Sequence, residues 1–124
     1  IVHSMAHGLG ALYDTPHGVA NAIILPTVME YNAECTGEKY RDIAKAMGVN
    51  TEGMSVDEGV EAAIGAVKAL SLSIGIPQHL CEIGVKKEDI PALAVAAFND
   101  VCTGGNPRPT SVEDIAKLYE TAYE

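Results

Sequence analysis

Apolar residues recur along this chain at intervals of three and four, the period of an α-helix. They almost nowhere alternate with polar residues as a half-buried strand requires. The pattern resolves into five or six helices punctuated by glycine and proline. The first is expected from the start of the chain to about Leu9, stopped by Gly8 and Gly10. Thr15-Pro16 offers an N-cap hydroxyl and then proline at the first helical position, which opens a second helix to about Ala33. Val19, Ile23, Ile24, Leu25, Val28 and Met29 surround that helix, so it should be buried on every side, with a kink at Pro26 where a backbone N–H is missing. A third helix carries Tyr40, Ile43, Ala44 and Met47 on one face and closes at Gly48. Capping boxes, Ser55-x-x-Glu58 and Thr110-x-x-Glu113, open the fourth and last helices. Val60, Ala63, Ile64, Val67 and Ile74 stripe the fourth, which Gly75 and Pro77 end; Val112, Ile115, Ala116, Tyr119 and Tyr123 stripe the last. Between them a helix beginning near Lys87 presents Ile90, Leu93, Ala94, Ala97, Phe98 and Val101. No repeat or long linker divides the sequence, and the reading is one all-α domain over 1–124.

Charge narrows the choice of partners. Eight Lys plus Arg stand against 17 Asp plus Glu, a net charge of −9. A phosphate backbone needs a basic face, so DNA and RNA are excluded as partners, and an anionic membrane surface is disfavoured. The longest apolar stretch, Val19 to Val28, is broken by Asn21, Pro26 and Thr27 and falls short of the ~20 residues a membrane span needs. Three cysteines, Cys35, Cys81 and Cys102, are an odd count without CxxC spacing. They favour neither a disulfide framework nor a zinc knuckle, and a reducing cytoplasm is the expected compartment. Cys35 and Cys81 read as packing residues. The opening Ile1-Val2-His3 has neither leader nor initiator Met, so a C-terminal piece of a longer protein is expected.

The chemistry concentrates near the start. His3, His7 and His17 fall within fifteen residues. His3 and His7, four apart, lie one turn from each other on one helix face and can present two imidazoles to one metal. The zinc-peptidase arrangement would place Glu after the first His, where Ser4 stands, so a metal-dependent hydrolase on this pair lacks its general base. His17 is expected at the second position of the next helix, whose positive end favours the neutral ring that a metal requires. A turn at Gly8 and Gly10 would bring His17 back towards His3. Spacing alone does not decide which of the three bind, or which metal. Catalytic zinc or iron sites use three or four protein ligands, commonly one carboxylate, and Asp14 reads as a turn residue. His79 reads as a helix-start or surface residue, and Gly104-Gly105-Asn106-Pro107 as a rigid loop rather than a phosphate cradle.

His3-Ser4-Met5-Ala6-His7-Gly8-Leu9-Gly10 and Tyr13-Asp14-Thr15-Pro16-His17-Gly18 together resemble the HxxxHxxGxxxxxxHG signature of the iron-containing alcohol dehydrogenases, with every fixed position matched. The likeness continues through Gly75-Ile76-Pro77, Lys87-Glu88-Asp89-Ile90 and Cys102-Thr103-Gly104-Gly105-Asn106-Pro107-Arg108. It implies the helical C-terminal domain of a dehydroquinate synthase-like fold, completed by an N-terminal domain that binds NAD or NADP. It further implies a divalent iron, replaceable by zinc, held by an Asp and three His. Two of those histidines match His3 and His17; the Asp and the other His have no counterpart here. His7 matches a catalytic position beside the nicotinamide, and Cys102 a position near the substrate pocket. The implied reaction is reversible hydride transfer between small primary alcohols or diols and their aldehydes, in a homo-oligomer, expected to be a dimer. The competing reading is a helical module that only packs or oligomerises.

Overall fold

The computed structural model describes residues 1–124 as six α-helices and three short 3-10 turns, with no strand. The helices are α1 (Val2–Tyr13), α2 (His17–Thr36), α3 (Glu38–Ala46), α4 (Val56–Ser73), α5 (Ile90–Phe98) and α6 (Val112–Tyr123). The 3-10 turns are Leu80–Ile83, Lys87–Asp89 and Thr103–Gly105. None of the helices is long and apolar enough to cross a membrane. The all-α expectation holds.

Two cores explain why α2 is apolar nearly all round. The larger gathers Met5, Leu9, Ile24, Leu93, Ile115 and Tyr119 from α1, α2, α5 and α6, with Leu80 and Val85 from the intervening loop. The smaller joins Met29 of α2 to Tyr40 and Ala44 of α3 and Ala63 and Ile64 of α4. Helix α2 is the shared wall, and it continues through the buried Pro26 without interruption. Tyr40 fastens the smaller core by donating from its hydroxyl to the Met29 carbonyl at 2.5 Å.

Several local expectations shift. Helix α1 does not stop at Gly8 or Gly10 but runs to Tyr13, where Asp14 takes a left-handed conformation at φ 54° and ends it. Gly8 is there for contact: a Cβ would lie 3.2 Å from Leu93 Cδ2 and 3.6 Å from the Tyr119 hydroxyl. The turn into α2 is therefore Asp14–Pro16, with Pro16 at the N-cap and His17 first in the helix, not second. The cap of α6 is Ser111 with Asp114, one residue beyond the predicted pair, and the helix buries Ile115, Leu118, Tyr119 and Ala122. The Ser55–Glu58 box of α4 forms as read. Val101 and Ile74 fall beyond their helices and are 94 % and 66 % exposed, so neither belongs to a core stripe. Cys35, Cys81 and Cys102 are all free and exposed, so the first two are not packed inside.

Candidate metal and substrate site

Burial of Ser4, Met5, Ala6 and Leu9 fixes the roll of α1 and leaves His3 and His7 on its open edge. The short Asp14–Pro16 turn then sets the first residue of α2 beside them. All three histidines are exposed on one face. Their ring centroids lie 6.3 Å apart for His3–His7, 5.4 Å for His3–His17 and 5.6 Å for His7–His17, the last pair nearly parallel. The predicted constellation is thus assembled, though through Asp14–Pro16 rather than a glycine turn.

Each outer ring has its own anchor. His17 Nε2 lies 3.0 Å from Asn21 Nδ2, one turn along α2. Asn21 Oδ1 is buried with no hydrogen-bond partner, an acceptor beside the histidine face left open for a donor. His7 Nδ1 lies 2.8 Å from Asp100 Oδ2; a carboxylate only accepts, so Nδ1–H donates and Nε2 points away. Asp100 is fixed in turn, since its Oδ1 accepts the Cys102 backbone N–H at 2.8 Å. That N–H, and then His7, hold the Asp100 carboxyl below its ordinary range. The Cys102 thiol is pushed up by desolvation and by the neighbouring Asp100 carboxylate.

Asp100 is the residue that sequence reasoning missed. It stands in the turn after α5, 93 positions from His7, and no local pattern links the two. The donor atoms of His7, Asp100 and Cys102 all lie within 4.8 Å of one another. Neither His3 nor His17 joins that tight group.

An open cleft of about 660 Å³ lies next to the histidines, lined by His3, Asn21, Leu25, Cys102, Asn106 and Pro107 among others. Cys102 therefore shares a wall with His3. The loop carrying it is held from behind. Asn32 and Asn106 exchange amide hydrogen bonds at 2.9 Å in both directions, and Arg108 donates to the Tyr31 carbonyl at 2.8 Å while stacking 4.0 Å over its ring. Thr103 Oγ1 lies 2.8 Å from Ser4 Oγ and ties the same loop to α1. Residues Gly104–Pro107 thus form a rigid loop between the last two helices, as expected. His79 is exposed at the N-cap of the Leu80–Ile83 turn.

Known proteins resemble this chain over nearly its whole length. The family model described as the Fe-containing alcohol dehydrogenase family, C-terminal, matches residues 1–123. The lactaldehyde reductase of Escherichia coli (strain K12) is 66 % identical over 123 residues, 99 % of this chain and 32 % of the relative. The 1,3-propanediol dehydrogenase of Citrobacter freundii is 49 % identical over 122 residues, 98 % of this chain and 32 % of its own length. A crystal structure of a 1,3-propanediol oxidoreductase superimposes with a TM-score of 0.96 at 48 % identity, again over 98 % of this chain and 32 % of that one. The chain spans about a third of the length of these relatives. It belongs to the Fe-containing alcohol dehydrogenase family and corresponds to the C-terminal part.

Proposed function

We propose that this member of the Fe-containing alcohol dehydrogenase family is the helical metal-binding domain, residues 1–124, of an NAD- or NADP-dependent alcohol dehydrogenase or aldehyde reductase. Its substrates would be small primary alcohols or diols and their aldehydes, as the names of the lactaldehyde and propanediol relatives suggest. An N-terminal nucleotide-binding domain would complete the site, in a dimeric cytoplasmic enzyme. The observation that carries the reading is the convergence of three exposed imidazoles from α1 and α2 beside an open cleft.

The donor set fits a divalent metal. Neutral imidazoles suit iron and zinc, and the orphaned Asn21 Oδ1 beside His17 marks a polar position that a group from outside the chain would complete. His3 and His17 would hold the ion, and two ligands would come from outside these residues. Iron is held less tightly than zinc by such nitrogen and oxygen donors, so zinc is the expected substitute. When bound, such a metal would supply Lewis acidity at the substrate oxygen and a nicotinamide cofactor would supply hydride-transfer chemistry.

The chain's own residues do the rest. His7, with Nδ1–H committed to Asp100, presents Nε2 for proton exchange with the substrate oxygen or an intervening water. Asp100 fixes that tautomer and the orientation of the ring. Leu25, Cys102 and Pro107 wall the cleft that receives the carbon skeleton, and an apolar wall favours short chains with few polar groups.

The test uses the full-length protein, loaded with ferrous iron and assayed for lactaldehyde and 1,3-propanediol turnover with each nicotinamide cofactor. His3→Ala and His17→Ala are expected to lose both bound metal and activity. His7→Ala should keep the metal and lose turnover. Retention of metal and activity by both ligand variants would overturn the assignment. If full-length protein turns over no alcohol or aldehyde, the purely structural module is the reading left standing.

A further inference from the structure

We infer that the chain carries a metal position separate from His3 and His17, formed by His7, Asp100 and Cys102 and suited to zinc. One donor atom from each residue lies within 4.8 Å of the other two, and His7 Nδ1 is already 2.8 Å from Asp100 Oδ2. Around tetrahedral zinc, ligand atoms at about 2.0–2.3 Å from the ion stand roughly 3.3–3.7 Å apart. The one close pair is tighter than that range and the 4.8 Å bound is looser, so side-chain rotations that move the ligand atoms by up to about an ångström close the site.

The surroundings match a metal centre rather than a chance cluster. Asp100 is pre-oriented by the Cys102 N–H on Oδ1, a bond that binding through Oδ2 leaves intact. Such outer hydrogen bonds hold ligating carboxylates in place. The His7 side chain is 45 % exposed and that of Asp100 18 %, and Cys102 is exposed. An ion can enter from solvent and keep a water as its fourth ligand. Thiolate, imidazole and carboxylate together select zinc over magnesium, calcium or ferrous iron, whereas His3 and His17 offer nitrogen alone. On binding, the Cys102 thiol gives its proton to solvent, and the His7 ring proton passes from Nδ1 to Nε2.

On the proposed dehydrogenase reading, zinc here occupies the His7–Asp100 pair and one wall of the cleft. It would stop turnover while the ion at His3 and His17 stays in place. The site itself can be tested without activity. Cobalt(II) is titrated into the 124-residue chain carrying Cys35→Ser and Cys81→Ser. A saturable sulfur-to-cobalt charge-transfer band is expected, abolished by Cys102→Ser and retained in His3→Ala and His17→Ala. No band, or equal loss in the His3 and His17 variants, would show that no separate site exists. The unsubstituted chain provides a second readout that does not depend on any variant folding. Zinc should slow iodoacetamide alkylation of Cys102 about tenfold, because ion and reagent compete for one thiolate, and leave Cys35 and Cys81 unaffected. Equal rates with and without zinc at Cys102, or equal slowing at all three cysteines, overturns the proposal. Both readouts are silent about alcohol turnover, so their outcome is independent of whether the dehydrogenase reading stands.

Discussion

Tyr119 links the last helix to the one that bears His3 and His7, and removing its hydroxyl alone isolates that link. The side chain is fully buried, and its hydroxyl donates to the carbonyl of Met5, itself fully buried, at 2.7 Å. Tyr119→Phe keeps the ring in place and deletes one donor. A neutral hydrogen bond contributes about 0.5–1.5 kcal/mol net, and a buried acceptor left wholly unpaired costs about 1–3 kcal/mol. Met5 lies inside α1, where a helix carbonyl keeps its own backbone partner, so the loss should sit near 1–1.5 kcal/mol. For a chain of this size that lowers Tm by roughly 4–6 °C. Burial also holds the Tyr119 phenol well above its ordinary value. A raised folded value gives stability that is full below the unfolded tyrosine value of about 10 and is lost as pH rises beyond it. Thermal and urea unfolding followed by circular dichroism, from neutral to strongly alkaline pH, reads both effects. The gap between the two proteins should be largest near neutrality and narrow above pH ~10. Equal stability near neutrality, or a gap that widens with alkali, would refute the account.

Ser55→Ala removes one half of the reciprocal cap on α4, in which Ser55 Oγ accepts from the Glu58 N–H at 3.2 Å, and should cost about 1 kcal/mol in urea unfolding. Gly59→Ala would set a Cβ 2.2 Å from Arg41 Cγ and 3.3 Å from Arg41 Cα. The Arg41 stem can swing aside but its backbone cannot, so a strain of about 1–3 kcal/mol outweighs the gain of up to about 1 kcal/mol from alanine's helix propensity. Faster amide exchange confined to α3 and α4 is the expected signature. Asp100 is held below the carboxylate range by the Cys102 N–H and His7, so its contribution is present above the unfolded value of about 3.9 and disappears as pH falls through the folded one. Asp100→Asn should therefore flatten the acid limb of the stability curve, and an unchanged limb would contradict it.

The sequence by itself determined the fold class and the α4 cap, and narrowed the count to five or six helices, because helical periodicity and capping chemistry are local and survive any packing. It also put His3 and His7 on one face, since a four-residue step on a helix admits nothing else. Where local signals are degenerate, the tertiary structure chose. Thr110-x-x-Glu113 and Ser111-x-x-Asp114 both offer a cap at the start of α6, and the folded chain uses the second. Gly8 looks like a helix stop until Leu93 and Tyr119 lie against it, where lack of a Cβ permits close contact. Pairing of His7 with Asp100, and its approach to Cys102, join residues more than ninety positions apart. No spacing rule reaches that far, because such contacts are set by how α1 and α5 pack and not by the order of residues along the chain.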